Sequence, residues 1–276
     1  MKRNAFATTC LKLGASLLVL ALVSGCGDEI DEEKIAEKNE PVDTLYNKAF
    51  DTLTVDKSFK PAIEEFEEVE RQHPYSEWAS QAQVMAAYSA YKGGYYEDAI
   101  VILDRFVKLH PTHKATPYAY YLKALCYYIQ ITDVGRDQKM TEYARQTLKE
   151  VVVRYPDSEY AQDAKLKYDL TSDHLAGKEM EIGRYYLKRE EYASAVNRFK
   201  FVVDHYETTS HIPEALHRLV EAYLRLGVVD EAKKYAAVLG HNFPGSDWYQ
   251  YSYEMMEGNL SPEEKESTYD KYLKVL

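Results

Sequence analysis

The sequence predicts an all-α fold, a stack of about five helix pairs that follows a removable leader and a charged tether. Three observations lead to this fold class. Five segments repeat the same residue types at fixed spacing, apolar residues recur at helical intervals, and no segment shows the alternating pattern of a half-buried strand. The 276 residues allow one or two domains once the leader is set aside.

Residues 1–25 have the order of charges and apolar groups that is typical of an export signal. Lys2 and Arg3 supply the positive start, and an apolar run follows from Leu13 to Val23. This run is too short to cross a bilayer, since a membrane-spanning helix needs about 20 apolar residues. We therefore expect cleavage after residue 25.

The run ends in Val23-Ser24-Gly25-Cys26, which resembles the lipobox of bacterial lipoproteins. The resemblance implies that Cys26 becomes the lipidated first residue of the mature chain, carrying palmitate or a similar acyl chain. Each buried methylene of such a chain contributes about 0.8 kcal/mol to membrane binding. An aspartate after the cysteine commonly retains such proteins in the inner membrane. The residue here is Gly27, so the expected location is the outer membrane, facing the periplasm.

Residues 26–41 are expected to hold the lipid and form a flexible tether, because residues 27–41 contain seven acids and few large apolar groups. Loss of Lys2, Arg3 and Lys12 with the leader takes the formal net charge from −11 to −14. A chain this acidic is a poor ligand for nucleic acid, which is bound through basic side chains. Attachment to the membrane therefore depends on the lipid.

The repeated segments begin after the tether and share three registers. Each has an alanine twelve residues before its last position, a further apolar residue four after that alanine, and an aromatic residue or histidine just before the last position. The alanines are Ala62, Ala99, Ala144, Ala195 and Ala232, and the last positions are Pro74, Pro111, Pro156, Glu207 and Pro244. These offsets resemble the tetratricopeptide signature, which implies a right-handed superhelix of helix pairs. The alanine permits close helix packing, and the proline ends the second helix.

The last positions are 37, 45, 51 and 37 residues apart, so the third and fourth units are enlarged. The third has a longer turn between its helices, from Gln130 to Met140, and the fourth has a longer first helix, from about residue 158 to 188. We assign units one to three to residues 42–156 and units four and five to residues 157–244.

Residues 245–276 form a C-terminal extension, in which the pattern becomes less regular after Pro244. A helix start is expected at Ser261–Glu264, with serine as the cap, proline in the first turn and glutamate three positions on. A stripe of Tyr269, Tyr272, Leu273 and Leu276 follows. This helix either caps the stack or docks a partner.

Nothing in the sequence indicates catalysis, a cofactor or a metal. His110 and His113 have a spacing that could ligate a metal, but His110 occupies a repeat position shared with His73 and three aromatic residues, so packing is favoured. No glycine-rich phosphate loop or nucleophile elbow is present in the sequence. Cys126 lies in an apolar run and is expected to be buried.

The chain has 26 tyrosines, many of them on the predicted first helices. Most are expected to belong to the core. Those that stay exposed would form an amphipathic groove for an extended peptide or a chain terminus, because aromatic rings give large contact area at low entropic cost. The candidates are Tyr46 in the first unit and Tyr88 and Tyr91 in the second.

Short motifs narrow the resemblance to one family. These are Leu109-His-Pro-Thr-His113, the pair Arg136-Asp137, Tyr155-Pro-Asp-Ser-Glu-Tyr160 and Ala195-Val-Asn-Arg198. Residues 42–240, which contain these motifs, resemble the BamD family. Its members are lipoproteins of the machinery that assembles β-barrels in the outer membrane, which agrees with the lipobox. The chain beyond Pro244 departs from that pattern.

The resemblance implies a non-enzymatic adaptor with two kinds of partner. Its first repeats would receive unfolded outer-membrane proteins, and its later repeats would hold the periplasmic domains of the barrel-forming subunit, together with accessory lipoproteins. The family's arginine that matches Arg198 lies at the subunit contact, so Arg198 is expected to pair with a carboxylate of the partner. Asn197, Arg136 and Asp137 are the other candidate partner-binding residues.

Two other classes remain open from the sequence. One is a different tetratricopeptide envelope lipoprotein, such as a pilotin or a scaffold for cell division or peptidoglycan, although such a protein would lack the family's short motifs. The other is an enzyme such as a peptidoglycan hydrolase, for which the repeats and tether leave no room.

Overall fold

The computed structural model describes residues 40–258, which form eleven helices and no strand. Ten helices make five pairs, and the last one follows the fifth pair, so the all-α fold predicted from the sequence is confirmed. Cys26, most of the tether and the helix start at Ser261–Glu264 lie outside the described residues. The helices are α1 (Val42–Thr54), α2 (Phe59–Gln72), α3 (Glu77–Lys92), α4 (Tyr96–Leu109), α5 (Thr116–Tyr128), α6 (Lys139–Arg154), α7 (Ala161–Lys188), α8 (Tyr192–His205), α9 (Ile212–Arg225), α10 (Val229–Asn242) and α11 (Asp247–Glu257).

The repeated alanines lie where each second helix packs against its neighbours. All five are fully buried, as are the large residues one turn later in the first four units. Those large residues are Phe66, Leu103, Leu148 and Phe199. The fifth unit differs, because Ala236 at this position is only partly buried and Leu239 fills the core instead. Removing a buried Phe or Leu side chain typically costs about 2–5 kcal/mol, so these positions anchor the stack.

The aromatic or histidine residue before each last position is the C-cap of a second helix. Its backbone N–H donates to the carbonyl four residues earlier in every unit. The next residue is proline in four units, which cannot continue the helix because it lacks the N–H. The capping residues are His73, His110, Tyr155, Tyr206 and Phe243.

A residue in the left-handed conformation turns the chain between the two helices of four units. It lies two positions before the second helix each time, with φ of 52° at Lys57, 79° at Gly94, 60° at Glu190 and 76° at Gly227. Glycine adopts this conformation without steric cost, whereas lysine and glutamate are strained there. The third unit replaces this turn with residues 129–138, here called the insertion loop.

The fourth unit is enlarged through its first helix, as the sequence predicts. Helix α7 has 28 residues and begins at Ala161, three residues later than expected. Gly183 brings it close to α8, since a Cβ at this position would lie only 2.4 Å from Cε1 of Phe199. The alanine and glycine positions therefore set the distance between helices in this unit.

Helix α11 falls in the stretch that the sequence pattern left irregular. Ser246 caps it by accepting from the backbone N–H of Tyr249 at 3.2 Å, as Ser76 caps α3. The helix docks on α9, where buried His217 and Ser252 share a hydrogen bond of 2.9 Å. This polar contact helps to hold α11 against α9.

Candidate functional site

Five tyrosines from three successive first helices meet on one side of units two to four. Tyr88 and Tyr91 come from α3, Tyr118 and Tyr121 from α5, and Tyr160 immediately precedes α7. The ring of Tyr160 lies 5.3 Å from that of Tyr118 and stacks on that of Tyr121 at 5.2 Å, centroid to centroid. We call this group the tyrosine cluster. Each member is partly buried, so part of every side chain stays accessible.

Burial and neighbouring rings set the ionisation of the cluster. The pKa of Tyr118 is raised mainly by burial, with smaller contributions from Tyr88, Tyr160 and Tyr91. Burial also raises the pKa of Tyr91. These hydroxyls therefore stay protonated at neutral pH and serve as hydrogen-bond donors and acceptors.

One carboxylate, that of Asp163, lies at the edge of the tyrosine cluster. The hydroxyl of Tyr121 donates to Asp163 of α7, and Lys167 donates to both carboxylate oxygens of the same residue. Hydrogen bonds from Lys167 and Tyr121 lower the pKa of Asp163, so it stays ionised. The result is an aromatic surface with hydroxyls and a neutralised charge pair, a combination suited to binding a peptide.

The structure places the predicted groove residues in two different settings. Tyr88 and Tyr91 lie in the tyrosine cluster. Tyr46 packs instead against Phe66 and Trp78, with centroid distances of 5.4 and 4.8 Å. Tyr118 and Tyr121 are not among the candidates that the sequence predicts, and Tyr160 enters only as the end of a short motif, so their association with Tyr88 and Tyr91 is seen only in the fold.

Arg136 and Asp137 are exposed on the insertion loop. Within residues 40–258 neither side chain makes a hydrogen bond or an ion pair, so both are available for contact with a partner. The loop itself is ordered by Gln138, whose amide donates to the carbonyls of residues 133, 134 and 136 at 3.0–3.2 Å. Lys178 of α7 also donates to the carbonyl of residue 135 at 3.2 Å.

A cavity of about 870 Å³ lies between the insertion loop, α7 and the start of α9. Two of its polar side chains, Asp173 and Arg184, form internal pairs, whereas the buried Nε2 of His174 has no hydrogen-bond partner within residues 40–258. Asp173 accepts from the backbone and hydroxyl of Ser210, and Arg184 donates to both carboxylate oxygens of Glu214 at 3.1 Å. Leu170 is half exposed beside it.

Arg198 lies on α8 and forms an ion pair within the chain. Its Nη1 donates to Oε2 of Glu179 on α7 at 3.0 Å. A cleft of about 270 Å³ adjoins it, lined by Tyr186, Ser194, Asn197, Arg198 and Phe201. We call this the Arg198 cleft. Asn197 is exposed at its rim.

The middle of α7 connects the two sets of candidate partner-binding residues. Lys178 holds the insertion loop with Arg136 and Asp137, while the next residue, Glu179, holds Arg198. The short motifs of the sequence mark these candidate residues, but they give no sign of Lys178 and Glu179, which are remote from them along the chain.

The two histidines at metal-like spacing pack in the core of the second unit. The rings of His110 and His113 lie 5.3 and 5.5 Å from the ring of Phe106. The Nδ1 atom of His113 accepts from the backbone N–H of Ala115 at 3.1 Å, and burial lowers its pKa. Over the described part of the chain, no three His, Cys, Asp or Glu side chains are grouped in a way that could hold a metal ion.

The fold and these surfaces define a class of protein, a tetratricopeptide-type helical scaffold with aromatic and charged surfaces. Among solved structures, a thermophilic tetratricopeptide protein of Thermus thermophilus matches at 20% identity over 78% of this chain and 98% of its own, with a TM-score of 0.36. No helix within residues 40–258 is both long and apolar enough to span a membrane.

Sequence comparison then gives the family. The family model described as YfiO, outer membrane lipoprotein, matches residues 38–239. The outer membrane protein assembly factor BamD of Caulobacter vibrioides is 49% identical over 89% of this chain and 80% of its own length. BamD of Rickettsia prowazekii is 47% identical over 89% of this chain and 97% of its own. The chain belongs to the BamD family of outer membrane protein assembly factors.

Proposed function

We propose that this chain is a non-enzymatic adaptor of the outer-membrane assembly complex. It receives unfolded β-barrel proteins on the tyrosine cluster and docks the barrel-forming subunit on units four and five together with the insertion loop of unit three. The observation that carries the proposal is the tyrosine cluster, which three successive first helices build in a chain of the BamD family.

The chemistry of the tyrosine cluster supports binding of an extended peptide end. Partly buried rings offer apolar contact without ordering long side chains, and their hydroxyls can bond to a peptide backbone. An aromatic residue near the C-terminus of a substrate would stack on rings such as Tyr91 and Tyr118. This is the type of C-terminal signal that the family is expected to recognise.

The second surface supports docking of the barrel-forming subunit. Arg198 lies beside a preformed cleft, and Arg136 and Asp137 are presented by a loop whose backbone is held in place. We assign the contact with a partner carboxylate to Arg198 and further contacts to Asn197, Arg136 and Asp137. Accessory lipoproteins complete the complex.

Cys26 supplies the attachment in this proposal. A leader of residues 1–25 is removed, lipid on Cys26 enters the outer membrane from the periplasmic side, and residues 26–41 act as the tether. Residues 42–156 and 157–244 together carry both binding surfaces, and residues 245–276 are the C-terminal extension.

Site-specific photo-crosslinking tests substrate binding. A photoreactive residue at position 91 or 118 should crosslink to the last strand of a nascent barrel protein. The same residue at position 237, exposed on α10, is the control and should not. Crosslinks confined to position 237 would contradict assignment of the substrate surface to the tyrosine cluster.

A further inference from the structure

The ion pair of Arg198 uses only part of the guanidinium. One nitrogen, Nη1, donates to Glu179, whereas an arginine has five N–H donors arranged as a fork. No other side chain among residues 40–258 shares an ion pair with Arg198. The arginine side chain is 43% exposed and Glu179 is 19% exposed. The remaining donors are therefore available for a bidentate contact with a second carboxylate.

Glu179 is itself held in a packed environment where α6, α7 and α8 meet. The Arg145 guanidinium of α6 lies over the rings of Tyr168 and Tyr206, at 5.1 and 5.2 Å. Burial is the main cause that raises the pKa of Tyr206, while Arg145 lowers it and Glu179 raises it. Glu179 is less exposed than Arg198, so it has fewer side-chain conformations open to it and can hold the arginine.

An exposed aromatic ring lies one turn beyond Arg198. Phe201 is 39% exposed on α8 and stacks on His205 with a centroid distance of 4.2 Å. Residues three positions apart share a helix face, so the ring and the guanidinium present a joint surface at the Arg198 cleft. This surface fits a partner segment that carries a carboxylate beside an apolar side chain.

We propose that Glu179 is a positioning residue, which holds Arg198 in the conformation that a partner carboxylate binds, with Phe201 as the adjoining apolar contact. The proposal rests on the proposed docking of the barrel-forming subunit at this cleft. Ordering a free arginine on binding costs affinity, so fixing it beforehand should improve the dissociation constant by about three- to tenfold. A carboxylate that competed with the partner would have the opposite effect.

Binding of purified periplasmic domains of the barrel-forming subunit to the full-length chain in detergent tests this role. Glu179→Ala should weaken binding by about three- to tenfold. Glu179→Gln, which keeps an acceptor oxygen, should recover most of it. The matched control is Glu181→Ala, which removes the same charge two residues away, where the side chain pairs with Lys178 instead. This control should bind like the wild type.

The decisive measurement adds Glu179→Ala to Arg198→Ala. If Glu179 acts through Arg198, Glu179→Ala has no further effect on the dissociation constant when residue 198 is already alanine. This holds whether or not Glu179→Ala changes the unfolding midpoint. Tighter binding by Glu179→Ala, or a change equal to that of Glu181→Ala, would overturn the positioning role. If Arg198→Ala still weakened binding in that case, the proposed docking would stand. Failure of the wild-type chain to bind the domains would overturn both.

Discussion

Replacing Gly183 with alanine tests the close packing of α7 on α8, which also brings Glu179 and Arg198 together. The added Cβ would lie 2.4 Å from Cε1 of Phe199 and 2.8 Å from Cδ1 and Cζ of the same ring. That ring is fully buried and has no open space to enter. Overpacking costs about 1–3 kcal/mol, while alanine gains about 1 kcal/mol over glycine in a helix. We expect a net loss of up to about 2 kcal/mol in the free energy of unfolding.

The same substitution should change sign when the ring is made smaller. Phe199→Leu removes Cε1, the ring atom nearest to the new Cβ, together with Cζ. In this background Gly183→Ala should therefore stabilise the protein by up to about 1 kcal/mol, the helix-propensity gain alone. Urea unfolding followed by circular dichroism at a helix band measures all four proteins of the cycle. An equal loss in both backgrounds would refute the steric reasoning.

Three further predictions address acid sensitivity, docking and the insertion loop. Burial lowers the pKa of His217 well below its ordinary 6.5, so the free energy of unfolding should fall as the pH drops below 6.5. His217→Asn can still form a hydrogen bond with Ser252, and it should flatten a plot of melting temperature against pH. A wild-type plot that is already flat would contradict this. Phe201→Ala should weaken binding of the subunit's periplasmic domains by about tenfold, whereas Val153→Ala, on the exposed surface of α6, should not. Equal binding by the two variants would reject the apolar contact. Gln138→Ala should speed amide hydrogen exchange in residues 129–138, and unchanged protection would show that its hydrogen bonds do not order the loop.

The helix pairs could be predicted from the sequence because each repeats a physical requirement. A buried alanine such as Ala195 lets two helices approach, and the following Phe199 fills the space beside it. A proline or its equivalent then ends the helix at a capped residue. These requirements act locally, so they leave a pattern at fixed spacing. The two enlarged units followed from the same spacing.

Helix α11 was missed although the sequence carries a local signal for it. Pro244-Gly-Ser-Asp-Trp248 has the same form as Pro74-Tyr-Ser-Glu-Trp78, and in both the serine caps the next helix. The alanine register marks second helices and has no member after Ala232, so it does not extend to α11. A register built on the capping serine would have placed the helix.

The site could be predicted less well because its contacts join distant parts of the chain. Arg198 and Glu179 are 19 residues apart, and Tyr121 and Asp163 are 42 apart. A spacing rule cannot identify such pairs without the packing of the helices. The motifs therefore point to Arg198 but not to the glutamate that pairs with it.

The adaptor function itself is tested most directly by what the intact protein binds in the cell envelope. The full-length chain, tagged and extracted in mild detergent, should co-purify with a large outer-membrane barrel protein that has periplasmic domains, and Arg198→Glu should reduce that recovery. Unchanged recovery with Arg198→Glu would remove Arg198 from the docking surface. Recovery of pilus or cell-division proteins without any barrel subunit would contradict the adaptor function.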